Sequence, residues 1–202
     1  MWTLTLPVRE WLRSLPMIAV FLIENPLLVP VLMLLMAIVC TGIGYLLLKA
    51  RRQWILWTLT ALSVVPVVAL TLVPTRTRRM DDIPFCTPDF HLPTLASVEM
   101  VANVGLLFPL VYFSALLTRR PLLMLAAGVA LSAGIETLQA LVRSLGRACT
   151  TGDWAMNSAG ATCAALLAGC TIALADRATA KRAASTRFTS DAETVHGDQH
   201  RL

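Results

Sequence analysis

The sequence predicts an all-α protein, a multi-pass bundle of about five transmembrane helices preceded by an N-terminal helix lying in the membrane interface. Three observations predict it. Apolar residues make up 56% of the 202 positions and charged residues only 14%, with a mean hydropathy of +0.69. That is too little charge for a soluble domain of this length. The apolar residues come in blocks of about 20, the length at which a helix crosses a hydrocarbon core of about 30 Å. The blocks also lack the polar stripe that a soluble bundle carries along each helix.

The elements follow in order. In residues 1–25, Val8, Trp11, Leu12 and Leu15 recur at helical spacing with Arg9, Glu10 and Arg13 between them, the pattern of an amphipathic helix in the interface. The apolar run Leu15–Ile23 is too short to span, and no small-residue cleavage site follows a basic segment as in a signal peptide. Residues 26–175 form the membrane domain, with spans at Pro26–Leu48, Trp54–Val73, Val98–Leu117, Leu122–Leu141 and Trp154–Leu174. Lys49, Arg51 and Arg52 follow the first span, Arg119 and Arg120 the third, and Lys181 and Arg182 the last. If every span crosses, these breaks share one side, which the positive-inside rule makes cytoplasmic. The loops Pro74–Ala96 and Arg143–Gly152 then face outward. Residues 176–202 are polar, mixed in charge and nearly without large apolar side chains, so they are expected to form a disordered cytoplasmic tail.

Composition excludes several function classes. The formal charge of +5 sits at the ends of apolar runs, where it anchors helices against headgroups. No nucleic-acid motif and no Gly-rich phosphate loop appears, so neither a nucleic-acid partner nor a nucleotide cofactor is expected. No cluster of Asp or His suits a metal; His196 and His200 stand four apart, but in the polar tail. Transport lacks support, because no span is visibly interrupted by Gly and Pro on an inverted repeat. Cys40, Cys163 and Cys170 fall within spans and read as packing residues. Cys86 and Cys149 fall in the two outward loops, where they can oxidise to a disulfide.

The informative residues are the polar ones inside the spans, since an ionisable group there costs about 2.5–3.5 kcal/mol on insertion scales. Glu99 and Asn103 open the third span, and Asp153 and Asn157 open the fifth; both pairs are four apart and share a helix face. On the fourth span Ser132, Glu136, Gln139 and Arg143 form a stripe, with Arg147 just beyond. All lie near the outer ends of their helices, so three helices direct carboxylates, carboxamides and guanidiniums toward one pocket. Other readings stay open residue by residue. Asn, Gln and Ser serve as interhelical glue in many bundles, Asp153 suits a helix N-cap, and arginines near a membrane face snorkel to headgroups. Gly160, Ala164 and Ala168 form a small-residue ridge for close helix packing.

The segments NVGLLFP, SAGIETLQALV and RACTTGDWAMNSAG resemble the core signature of the VanZ-like family of bacterial membrane proteins. The resemblance spans residues 98–174 and rests on an ordered set: Asn103, Phe108-Pro109, Glu136 and Gln139, then Arg147, Asp153, Asn157 and Gly160. The chain departs from the family pattern at Val111, where a Gly is usual, and at Ala164, where a second Gly is usual. It also lacks the acidic residue that often follows the Arg. The resemblance implies a bacterial cell membrane location and a role in the envelope, with a contribution to resistance against teicoplanin-type glycopeptides. On that basis the expected partner is a membrane lipid, a lipid-linked wall precursor or a lipoglycopeptide. Asn103, Gln139 and Asn157 would orient it, and Arg143 or Arg147 would pair with its anionic group. The alternative is an enzyme acting on a lipid-linked substrate, with Glu136 and Asp153 as acid and base. Against it, no His lies within a span to serve a nucleophile.

Overall fold

A computed structural model describes Phe21, Asn25 and residues 27–72, 98–142 and 149–199, with side chains beginning at 101 in the second stretch and ending at 184 in the third. Among the described residues the fold is helical, with α1 at Leu28–Ala50, α2 at Gln53–Leu72, α3 at Val98–Leu106, α4 at Phe108–Thr118, α5 at Pro121–Leu141 and α6 at Thr151–Gln199. Among the described residues five segments are long and apolar enough to cross a membrane, α3 and α4 counting as one. The expected interfacial segment 1–25 and the loop 74–96 lie outside the described residues, apart from Phe21 and Asn25.

The third span is broken where hydropathy gave no sign of it. Pro109 has no N–H to return to the Gly105 carbonyl, and the helix ladder is interrupted at Leu107. Leu107 itself is fully buried and its carbonyl receives the Val111 N–H at 3.0 Å. The break separates α4, whose Phe108, Val111, Tyr112, Phe113, Ala115 and Leu116 are buried, from the short α3, which carries Asn103.

Helix α6 is the centre of the bundle, packing on α1, α3, α4 and α5, while α2 leans chiefly on α4. Its small-residue ridge makes this possible. Ala161, Ala164 and Ala168 are fully buried, and a Cβ placed on Gly160 would fall on the carbonyl of Val104. In lipid, such close backbone approach supplies the van der Waals contact that hydrophobic burial supplies in water. The outward faces of α1 and α2 carry exposed leucines, valines and tryptophans instead.

The polar segment after Asp176 departs from expectation. Composition predicts disorder there, but α6 continues as helix to Gln199. Ala178, Ala180, Ala183 and Ala184 are strong helix formers, and extending an existing helix avoids the costly nucleation step. At 49 residues the helix is about 74 Å long, far more than a bilayer needs.

Candidate functional site

Most hydroxyls in the spans are satisfied by their own helix. Thr41, Ser63, Thr71, Thr137, Thr162 and Thr171 each donate to the carbonyl four residues earlier, the local bond open to Ser and Thr in apolar surroundings. Such residues mark no site. Tyr112 and Thr171 add one buried cross-helix bond at 3.1 Å, deep among core residues.

The cluster at the α5–α6 end of the bundle is of another kind, because its bonds run between helices. Asn103 on α3 donates its Nδ2–H to Asp153 Oδ1 on α6. Glu136 on α5 is 7% exposed and accepts the Thr150 backbone N–H on Oε2 at 3.1 Å. Thr150 in turn receives the Asp153 N–H on its hydroxyl at 3.0 Å. Thr150 is thus the N-cap of α6, and Asp153 is its third residue. That corrects the reading of Asp153 as the cap and leaves its carboxylate free to reach across to Asn103. The sequence reading did not single out Thr150, although the Thr-x-x-Asp spacing is a capping-box signal. Asp153 also stands in the first turn of α6, where the helix dipole favours a negative group.

The network therefore runs Asn103–Asp153–Thr150–Glu136 over three helices, and Glu136 lies within electrostatic range of Asp153. Ser132, fully buried one turn below Glu136, reaches the Trp154 carbonyl at 3.4 Å. Glu136 sits five residues inside the end of α5, about 8 Å along the helix.

The remaining expected residues fall in two groups. Gln139 and Asn157 are buried at 7% and 2% exposure, but among the described residues no hydrogen bond joins either to the network. Asn157 Oδ1, one turn below Asp153, has no hydrogen-bond partner among the described residues, and neither has the neighbouring Ser158 hydroxyl. Arg143, Arg147 and Cys86 lie outside the described residues, and the Glu99 side chain does too. Cys149 is buried and disulfide-bonded, whereas Cys40, Cys163 and Cys170 are free. Among the described residues no group of His, Cys, Asp and Glu is arranged to hold a metal.

Fold and site together define a polytopic helical membrane protein with a buried, acceptor-rich polar network at one end of its bundle. The VanZ/LLP1 family model matches residues 31–173, and the chain belongs to that family. No curated protein and no solved structure matches it. The family match reaches well N-terminal of the signature residues, taking in α1 and α2.

Proposed function

We propose that this protein is a cell-envelope binding protein whose polar network receives the head of an amphiphilic or lipid-linked ligand from the outer leaflet, contributing to tolerance of teicoplanin-type glycopeptides. One observation carries the reading: among the described residues Asn157 Oδ1 is buried without a donor, beside a network that already contains two carboxyl groups. A buried acceptor without a partner costs about 1–3 kcal/mol, so the site has acceptor capacity left for a ligand that brings hydroxyl, amide or ammonium donors. Lipid-linked sugars and lipoglycopeptides are rich in such donors. Arg143 and Arg147, which follow α5 in sequence, would hold the ligand's phosphate or carboxylate. The acyl chain would lie against the apolar helix faces.

The test compares Glu136→Gln, Glu136→Leu and Asn157→Leu in full-length protein. Growth in teicoplanin and retention of a fluorescent lipoglycopeptide by the purified protein are the readouts. All three variants are expected to insert and to lose both. If Glu136→Gln and Asn157→Leu keep wild-type values in both assays, the polar residues are interhelical glue and the binding reading fails.

A second reading, an enzyme acting on a lipid-linked envelope substrate, draws on the proximity of Glu136 and Asp153 and their connection through Thr150. Paired carboxyls serve acid–base chemistry. This reading requires turnover: incubation with a lipid-linked wall precursor should give a product of changed mass, and Asp153→Asn should abolish it.

A further inference from the structure

At the opposite end of the bundle, the α1–α2 and α4–α5 turns meet the middle of α6 around a concavity of about 350 Å³. That volume lies within the range of small-ligand pockets and exceeds what a bare phosphate fills. Its polar rim is Arg51, Arg52, Gln53, Arg119 and Asp176, and its floor includes the buried Leu56 and Leu116. The charges do not balance. Asp176 is engaged by Arg119, whose Nη2 reaches both carboxylate oxygens at 2.7 and 2.5 Å, while among the described residues Arg51 and Arg52 have no acidic partner. Two guanidiniums thus face a concave site without a counter-charge, an arrangement that draws tetrahedral anions.

Backbone geometry adds an independent observation. Arg51 and Arg119 both end their helices in the left-handed region, at φ 53° and 55°, and they are the only non-glycine residues with positive φ among those described. Glycine is the usual occupant of such a helix end. Arginine at both corners of one cleft means that strain is accepted where the side chains converge. The depth of the cleft indicates where the anion resides. Trp54 and Trp57, on the turn of α2 just past Gln53, are each 64% exposed. Exposed tryptophans of a membrane helix favour the headgroup layer.

We infer that this cleft is a binding site for the headgroup phosphate of an anionic glycerophospholipid, with Arg51 and Arg52 as the phosphate ligands and the Arg119–Asp176 pair shaping its far wall. The inference is independent of the function proposed for the Glu136 network. The site takes its phosphate from the membrane rather than from solution, because its rim lies at headgroup depth and its floor is apolar.

Native mass spectrometry of the detergent-purified full chain, incubated with equal phosphatidylglycerol and phosphatidylcholine, tests it. Both lipids carry the phosphate, but the choline ammonium cancels its charge and is repelled by two guanidiniums without a counter-charge, so the wild type should retain phosphatidylglycerol over phosphatidylcholine by about tenfold or more. Arg51→Gln/Arg52→Gln should reduce the ratio to near one, while Lys49→Gln, a neighbouring cation outside the rim, should leave it unchanged. Arg51→Gly guards against misfolding, since it keeps the left-handed turn at no steric cost; it should fold normally and lose part of the preference. Equal retention of the two lipids by the wild type would overturn the inference, and so would an unchanged ratio in the double variant. A loss in Lys49→Gln as large as in the double variant would replace the site with diffuse charge. Displacement of the lipid by millimolar glycerol 3-phosphate would show a soluble-anion site and overturn the lipid assignment.

Discussion

Asn103 and Asp153 make a direct side-chain bond between helices in the polar network, so they are where its energetic value is measurable. Cross-helix bonds in membranes average about 0.6 kcal/mol and reach about 1.7. A double-mutant cycle with Asn103→Ala and Asp153→Ala, read from unfolding in mixed micelles, is expected to give a coupling of about 1 kcal/mol. Strict additivity would mean that the two side chains do not depend on each other. Gly160 offers a sharper contrast. Its missing side chain is what lets α6 rest on the Val104 carbonyl, so Gly160→Ala should cost about 1–3 kcal/mol by overpacking. At Gly134 a Cβ would meet nothing within 4 Å. Gly134→Ala should therefore be neutral or stabilising, because Ala is the better helix former by about 1 kcal/mol. Thermal melts of the two variants separate packing from propensity.

Among the elements, the break at Leu107 and the cap at Thr150 decide how α3 and α6 present their side chains. Pro109→Ala restores the N–H that the Gly105 carbonyl lacks, so α3 and α4 should fuse into one helix and Asn103 should lose its register with Asp153. Cysteines placed at positions 103 and 153 in the Pro109→Ala background are expected to cross-link poorly, and in the wild-type background readily. The five spans were legible in the sequence to within a few residues, except that α6 runs on well past Leu174, because 20-residue apolar blocks have few alternatives in a membrane. The convergence of Asn103, Glu136 and Asp153 was legible too, since spacing and depth constrain where each side chain lies. The break was not, because a proline inside an apolar run leaves hydropathy unchanged. Thr150 carries a readable Thr-x-x-Asp spacing, but Asp153 competes for the same cap and only the backbone geometry decides between them; the helical extension of α6 stayed hidden because composition reports burial rather than propensity. Cys149 belongs at this scale as well, since it stands one residue before Thr150 and its disulfide restrains the cap that feeds Glu136. Cys86→Ser and Cys149→Ser should lower stability equally, by about 2–4 kcal/mol if the two pair. Unequal losses would point to another partner for Cys149.

For the whole molecule, α6 carries Asp153 at one polar site and Asp176 at the other. They stand 23 residues apart in sequence, about 35 Å along a helix, close to the thickness of a bilayer's hydrocarbon core with its margins. The basic turns thus gather at one face and the Glu136 network at the other, whichever way the protein is inserted. By the positive-inside rule the basic face is expected on the cytoplasmic side. In a background without Cys40, Cys163 and Cys170, a membrane-impermeant thiol reagent added outside should label a cysteine placed at Thr75 but not one at Ser185. The reverse pattern would invert the orientation and move the Glu136 network to the inner leaflet. Between the two faces, the contact of Gly160 with Val104 sets the spacing of α6 and α3 by main chain alone. Main-chain atoms have no rotamers, so this spacing has no tolerance to adjust. It is a fixed datum, two turns from Asp153 and one residue from Asn103, against which the geometry of the polar site is measured. Side chains elsewhere in the bundle can be exchanged for others of similar volume, but here the amino-acid alphabet offers no smaller part.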